Sequence, residues 1–132
     1  MVGLGKGVMD LFDYADYVCL KCFNTPDKCT CEFQPYYLVN IDRNIQDVIR
    51  VLNERGYMTR YCCESHNEND SIYIMFARDY GFDTLPDGFI SNASNVIRHE
   101  YERGMDYDEF LEDKQRHLKA LLDWCEGLSS VR

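Results

Sequence analysis

Residues 36–56, YYLVNIDRNIQDVIRVLNERG, decide how this chain folds, because two different periodicities meet inside them. Tyr36 to Ile41 is rich in aromatic and β-branched residues, which predicts a strand. Asp42 can cap a helix, and Ile45, Val48, Ile49 and Leu52 then recur at i, i+3, i+4 and i+7, so an amphipathic helix follows and ends at Gly56. Tyr57 to Cys63 alternates as a second strand, and Ser71 to Phe76 reads as a third. The polar run His66-Asn67-Glu68-Asn69-Asp70 between them predicts a hairpin turn.

Working outward toward the C-terminus, Gly81, Pro86 and Gly88 make Asp79 to Phe89 a structured loop. Asn92 to Arg103 reads as a short helix closed by Gly104. A long last helix starts near Asp106, whose pairing with Glu109 resembles a capping box. Its apolar stripe is Phe110, Leu111, Leu118, Leu121, Leu122 and Cys125, and Gly127 provides the stop. On the N-terminal side, Val8, Leu11, Phe12 and Ala15 place a short amphipathic helix over residues 8–17. Gly3, Gly5 and Gly7 read as a tail, because nothing around them completes a phosphate loop. The order β-α-β-β-α-α gives an α+β fold. A helix between the first two strands permits a crossover, so the expected core is a small mixed sheet of about three strands with helices on one face. At 132 residues a single domain is expected, with an N-terminal arm and knuckle over 1–35 and an α+β body over 36–132.

The strongest motif is Cys19-x2-Cys22-x6-Cys29-x-Cys31, with Asn24, Pro26 and Asp27 in the turn between the two pairs. Two close pairs of thiolates can close a tetrahedron around zinc, and a full shell of four leaves no place for water, so a structural Zn2+ is expected there. Seven cysteines, an odd number, without the apolar run of a signal peptide suit a metal site in a reducing compartment and a cytoplasmic location. No stretch is apolar enough for a membrane span.

The formal net charge of −9 deepens to about −11 if four thiolates hold one zinc ion. Such a surface repels phosphate backbones, so direct nucleic-acid binding is not expected and a basic protein partner is. The acids are densest at Glu100, Glu102, Asp106, Asp108, Glu109, Glu112 and Asp113, with Tyr101, Met105 and Tyr107 among them. One reading is a solvated helix start favoured by the macrodipole. The other is a docking surface in which Tyr107 and its neighbours anchor and the carboxylates meet a basic groove.

Cys62-Cys63-Glu64-Ser65-His66 leaves three readings open. Cys63 or His66 replaces one ligand of the first cluster; Cys63 and His66 form a nucleophile and base of a zinc- or cysteine-dependent hydrolase; or the segment is structural, with the two cysteines on opposite strand faces, one of them in the core, and Glu64 and His66 satisfying turn backbone. His99 and His117 fall in predicted helices; His117 lies near the apolar stripe and reads as a packing residue, and neither is taken as a site.

Residues 52–59, LNERGYMT, continuing through CCESH at 62–66 and YIMF at 73–76, resemble a family of small zinc-containing proteins of phages and mobile elements with the pattern LN-x-x-GY-x-T and CCEGH. The paired cysteines match as well, and Ser65 stands where that pattern has glycine. The resemblance spans residues 19–76 and implies an α+β fold with zinc. With its acidic helices the whole chain also looks like a zinc-containing anti-CRISPR protein. That likeness implies a non-enzymatic inhibitor of a type II-A RNA-guided nuclease, acting at the basic channel that holds the guide–target heteroduplex. A mobile-element regulator or assembly factor is the other non-enzymatic reading.

Overall fold

The computed structural model describes residues 15–131 and has the expected α+β class. The chain divides into two compact units, with the break between Arg43 and Asn44.

The first unit is a two-stranded antiparallel ladder carrying the cysteine-rich loop. β1 (Ala15–Cys19) pairs with β2 (Leu38–Asp42), from Ala15 opposite Asp42 to Cys19 opposite Leu38. The predicted N-terminal helix lies outside the described residues as far as residue 14, and its last residues belong to β1. Val18, Cys19 and Ile41 are buried, and a bidentate pair from Arg43 to Asp16, at 2.9 and 3.1 Å, ties the open end of the ladder. Strand β2 starts two residues later than the aromatic run suggests. Pro35 sits in the first turn of a one-turn helix, α1 (Gln34–Tyr37), where its fixed φ is suited and its missing N–H costs nothing.

The second unit is a four-stranded, wholly antiparallel sheet with two helices. Its order is β3 (Thr59–Cys63), β4 (Ile72–Phe76), β6 (Val96–His99) and β5 (Ile90–Ala93). The expected hairpin is present, with Cys62 opposite Ile74 and Cys63 opposite Tyr73. Two expectations change. The strands flanking the central helix lie in different sheets, so no crossover forms and neither sheet is mixed. Residues 92–103, predicted helical, instead hold part of β5 and all of β6. Val96 and Ile97 are both buried and pair with Met75 and Ile74, a contact made across the sheet.

The central helix, α2 (Gln46–Glu54), buries Val48, Ile49, Val51 and Leu52 and is preceded by a 3-10 turn over Arg43–Ile45. Gly56, at φ 89°, ends it, and the N–H groups of Gly56 and Tyr57 return to the carbonyls of Asn53 and Leu52. Against it packs α3 (Tyr107–Glu126), which starts with the predicted capping box: Glu109 N–H donates to Asp106 at 2.9 Å and the Glu109 carboxylate reaches back to the Asp106 N–H. Phe110, Leu121 and Cys125 are the buried part of its stripe. Arg55 closes the far end, its Nη1 donating to the carbonyls of Cys125, Glu126 and Leu128 at 2.6–3.0 Å, while the Tyr57 hydroxyl donates to Ser129. The LNERGY stretch thus ends one helix and caps another. The loop over residues 79–89 is structured as expected, with Phe82 against Phe76 and Trp124 at ring distances of 5.0 and 4.8 Å. No described helix is long and apolar enough to cross a membrane.

Candidate metal centre

The cysteine loop is folded by its own backbone. The Phe23 N–H bonds the Cys19 carbonyl at 2.7 Å and Cys19 N–H bonds the Asn24 carbonyl at 3.0 Å, with Phe23 in the left-handed region at φ 60°. On the far side Cys29 N–H bonds Thr25, and the Gln34 amide donates to the Pro26 carbonyl at 2.9 Å. These two turns bring the Sγ atoms of Cys19, Cys22, Cys29 and Cys31 within 4.8 Å of one another. Cys19 is fully buried at the end of β1, Cys29 and Cys31 are half-buried and Cys22 is exposed.

Backbone donors already point at the sulfurs. The Lys21 N–H lies 3.4 Å from Cys19 Sγ, and the Cys31 N–H lies 3.4 Å from Cys29 Sγ. Such contacts favour thiolate over thiol. Cys29 is the clearest case: the Gln34 side chain first, then the Cys31 N–H, bring its thiol down to about 6. Desolvation, followed by its contact with Cys22, pushes Cys31 up to about 12. Four soft sulfur donors so arranged can hold a metal ion, and the group is complete without Cys63 or His66.

The Cys62–His66 segment keeps its two cysteines at successive positions of β3, on opposite faces, and departs from its structural reading in the core placement of one cysteine and in the role of Glu64. Neither cysteine is in the core, and both are half-buried. Glu64 is fully buried, and its carboxylate leaves the turn to reach the start of α2. It accepts the Asn44 backbone N–H at 2.9 Å and the Asn44 side-chain amide at 2.8 Å, and lies 2.6 Å from Lys114 Nζ. The capping role assigned to Asp42 therefore passes to Glu64: Asp42 ends β2, and Ile45, at the N-cap, makes no side-chain cap bond. Cys63 Sγ accepts the Ser65 N–H at 3.4 Å and has a ring nitrogen of His66 within 4.8 Å. Ser65 takes φ 73°, which explains why glycine suits this position.

Of the acidic residues, Glu100, Glu102, Asp106, Asp108, Glu109 and Glu112 are exposed, as is Tyr107, at 68%. Asp106 and Glu109 are engaged in the capping box, and Glu100 lies 3.6 Å from Arg98. Asp113 is turned inward, only 14% exposed, and meets His99 and His117. The sequence reading passed over this second cluster. The i, i+4 spacing of Asp113 and His117 was visible, but His99 joins them only because β6 replaces the predicted helix. No protein-family model, curated protein or solved structure matches this chain.

Proposed function

We propose that this is a non-enzymatic, zinc-stabilised acidic protein that docks on a basic, nucleic-acid-handling protein and inhibits it. The observation that carries this reading is the run of exposed carboxylates Glu102, Asp108, Glu109 and Glu112 close in sequence to an exposed Tyr107, on a chain of net charge −9. Carboxylates together with a large aromatic suit a basic groove, and their field speeds encounter with it. Zinc is the ion that best suits the cysteine group. Zinc–sulfur bonds of about 2.3 Å in a tetrahedron set the sulfurs about 3.8 Å apart, compatible with sulfurs that lie within 4.8 Å of one another. A shell of four cysteines has no open place, so the ion would hold the loop and perform no reaction.

The sequence resemblance makes a type II-A RNA-guided nuclease the first partner to test. The chain is mixed with guide-loaded nuclease, and target binding and cleavage are measured beside a variant carrying Glu102→Gln, Asp108→Asn and Glu112→Gln. The expected result is inhibition that weakens by at least about 10-fold in the variant and with rising salt. Unimpaired cleavage at large molar excess across several such nucleases would overturn the partner. Inhibition equally strong in the variant would overturn the docking surface.

A further inference from the structure

A cavity of about 410 Å3 opens between the loop over residues 79–89 and the turn that joins β5 to β6. Phe76, Val96 and Ile97, all buried, form its floor together with Phe82. Its rim carries Asp79 and Asp83, both exposed. Among the described residues these two carboxylates are the only charged groups that line it. Both walls are held by the fold. The Phe76 N–H donates to the Asn95 carbonyl at 2.7 Å and the Asn95 amide donates to the Phe76 carbonyl at 3.1 Å, which fixes the hairpin turn against β4. On the loop side Asp79 accepts the Gly81 N–H at 2.8 Å, and the Trp124 indole N–H donates to the Thr84 hydroxyl at 3.2 Å. Phe82 packs on the rings of Phe76 and Trp124. A cavity so built needs little ordering to receive a ligand.

We propose that this cavity is a binding site for a guanidinium on an aliphatic stem, the side chain of an arginine presented by another protein. As the seat of a partner's arginine it rests on the docking reading above, and it adds a contact outside the acidic run of residues 102–112. The volume lies in the range of pockets that hold small organic groups. The methylene stem suits the apolar floor. The planar head can meet a ring face and a carboxylate together, a combination that favours guanidinium over the compact, strongly hydrated ammonium of lysine. Asp79 and Asp83 repel an anionic ligand, and a neutral apolar one would cover them without supplying a counter-charge. Arg78, next to Asp79 in the chain, shows the same chemistry: its guanidinium carbon lies 4.7 Å from the centre of the Tyr80 ring, and it does not line the cavity.

The test titrates the full 132-residue chain, labelled with 15N, with N-acetyl-arginine N-methylamide and follows the backbone amides. Saturable shifts should appear at Gly81, Asp83, Asn95 and Val96, with a dissociation constant in the millimolar range, as binding of a single side chain warrants. The citrulline analogue keeps the shape and loses the charge. It and the lysine analogue should each bind at least about 5-fold more weakly. These comparisons use the unaltered chain, so they decide the matter even where a variant fails to fold. Asp79→Asn combined with Asp83→Asn should weaken the arginine probe by at least about 5-fold, while the amide oxygen at position 79 still accepts the Gly81 N–H. No saturable shift up to about 50 mM, shifts confined to α3, equal binding of the citrulline or lysine analogue, or undiminished binding by the folded variant overturns the proposal. No nuclease takes part, so failure here and failure of the docking reading are distinguished.

Discussion

The ammonium of Lys114, on α3, lies 2.6 Å from the carboxylate of Glu64, and both side chains are buried. Because the same carboxylate takes two hydrogen bonds from Asn44, one residue joins the end of β3, the start of α2 and the middle of α3. A buried charge left without its partner is far more costly than a buried pair replaced by neutral groups. Glu64→Ala should therefore lower the unfolding free energy by about 3–5 kcal/mol. The double variant Glu64→Gln with Lys114→Met should regain more than half of that loss, since glutamine still accepts the Asn44 N–H and no ammonium remains. Urea denaturation of the three proteins measures it. A double variant as unstable as Glu64→Ala would mean that packing, and not charge, is what the pair supplies.

Ser65 gives a separate test of backbone conformation. Its φ of 73° is unfavourable for any residue with a Cβ, while its hydroxyl lies 2.9 and 3.0 Å from the carbonyls of Asn67 and Asp70. Ser65→Ala keeps the strain and loses the hydroxyl, a cost of about 1–2 kcal/mol. Ser65→Gly loses the same hydroxyl and relieves the strain, so it should be more stable than the alanine variant by about 1 kcal/mol. Thermal melts of the two variants decide it: equal midpoints would show that the left-handed backbone costs nothing here.

What could be read in the sequence was local. Helix α2 announces itself through Ile45, Val48, Ile49 and Leu52, and its end through Gly56, because periodicity and turn chemistry act within a few residues. The Asp106–Glu109 capping box and the four-cysteine loop were legible for the same reason. Ile97 could not be assigned this way. Its strand exists because Ile74 lies opposite, more than twenty positions earlier, and the short segment around Val96 and Ile97 carries no period of its own. That error concealed the partnership of His99 with Asp113 and His117. Glu64 was equally out of reach, since what it caps begins at Asn44, in another element of the chain.

Two neutral groups contribute to a loss of stability at alkaline pH. Burial is the main cause that raises Cys125 from 9.0 to about 12, and desolvation is the main cause that raises Tyr101 from 10.0 to about 12. A raised folded value means that the folded state keeps its proton where the unfolded chain has lost it. This stabilisation is complete below pH 9.0 for Cys125 and below 10.0 for Tyr101, and is lost as pH climbs through about 12. The urea midpoint should accordingly fall from pH 9 toward 12, and Cys125→Ala should remove the earlier part of that fall. Thiol labelling gives a second measurement: Cys125 should react near neutral pH only after global unfolding. Rapid labelling in the native state would show that the α3 core opens locally.

Removal of metal should separate the two units. A structural zinc ion contributes about 10–16 kcal/mol in small peptides, and among the described residues of the unit that carries the cysteines only Val18, Cys19 and Ile41 are buried. Chelation should abolish hydrogen-exchange protection in the β1–β2 ladder and at the Lys21 and Cys31 amides, which face Cys19 and Cys29 sulfur. Amides of Ile74 and Ile97 should keep theirs, since their unit has its own sheet and helices. Full exchange protection in the ladder and at the Lys21 and Cys31 amides after chelation would mean that the loop is held without metal.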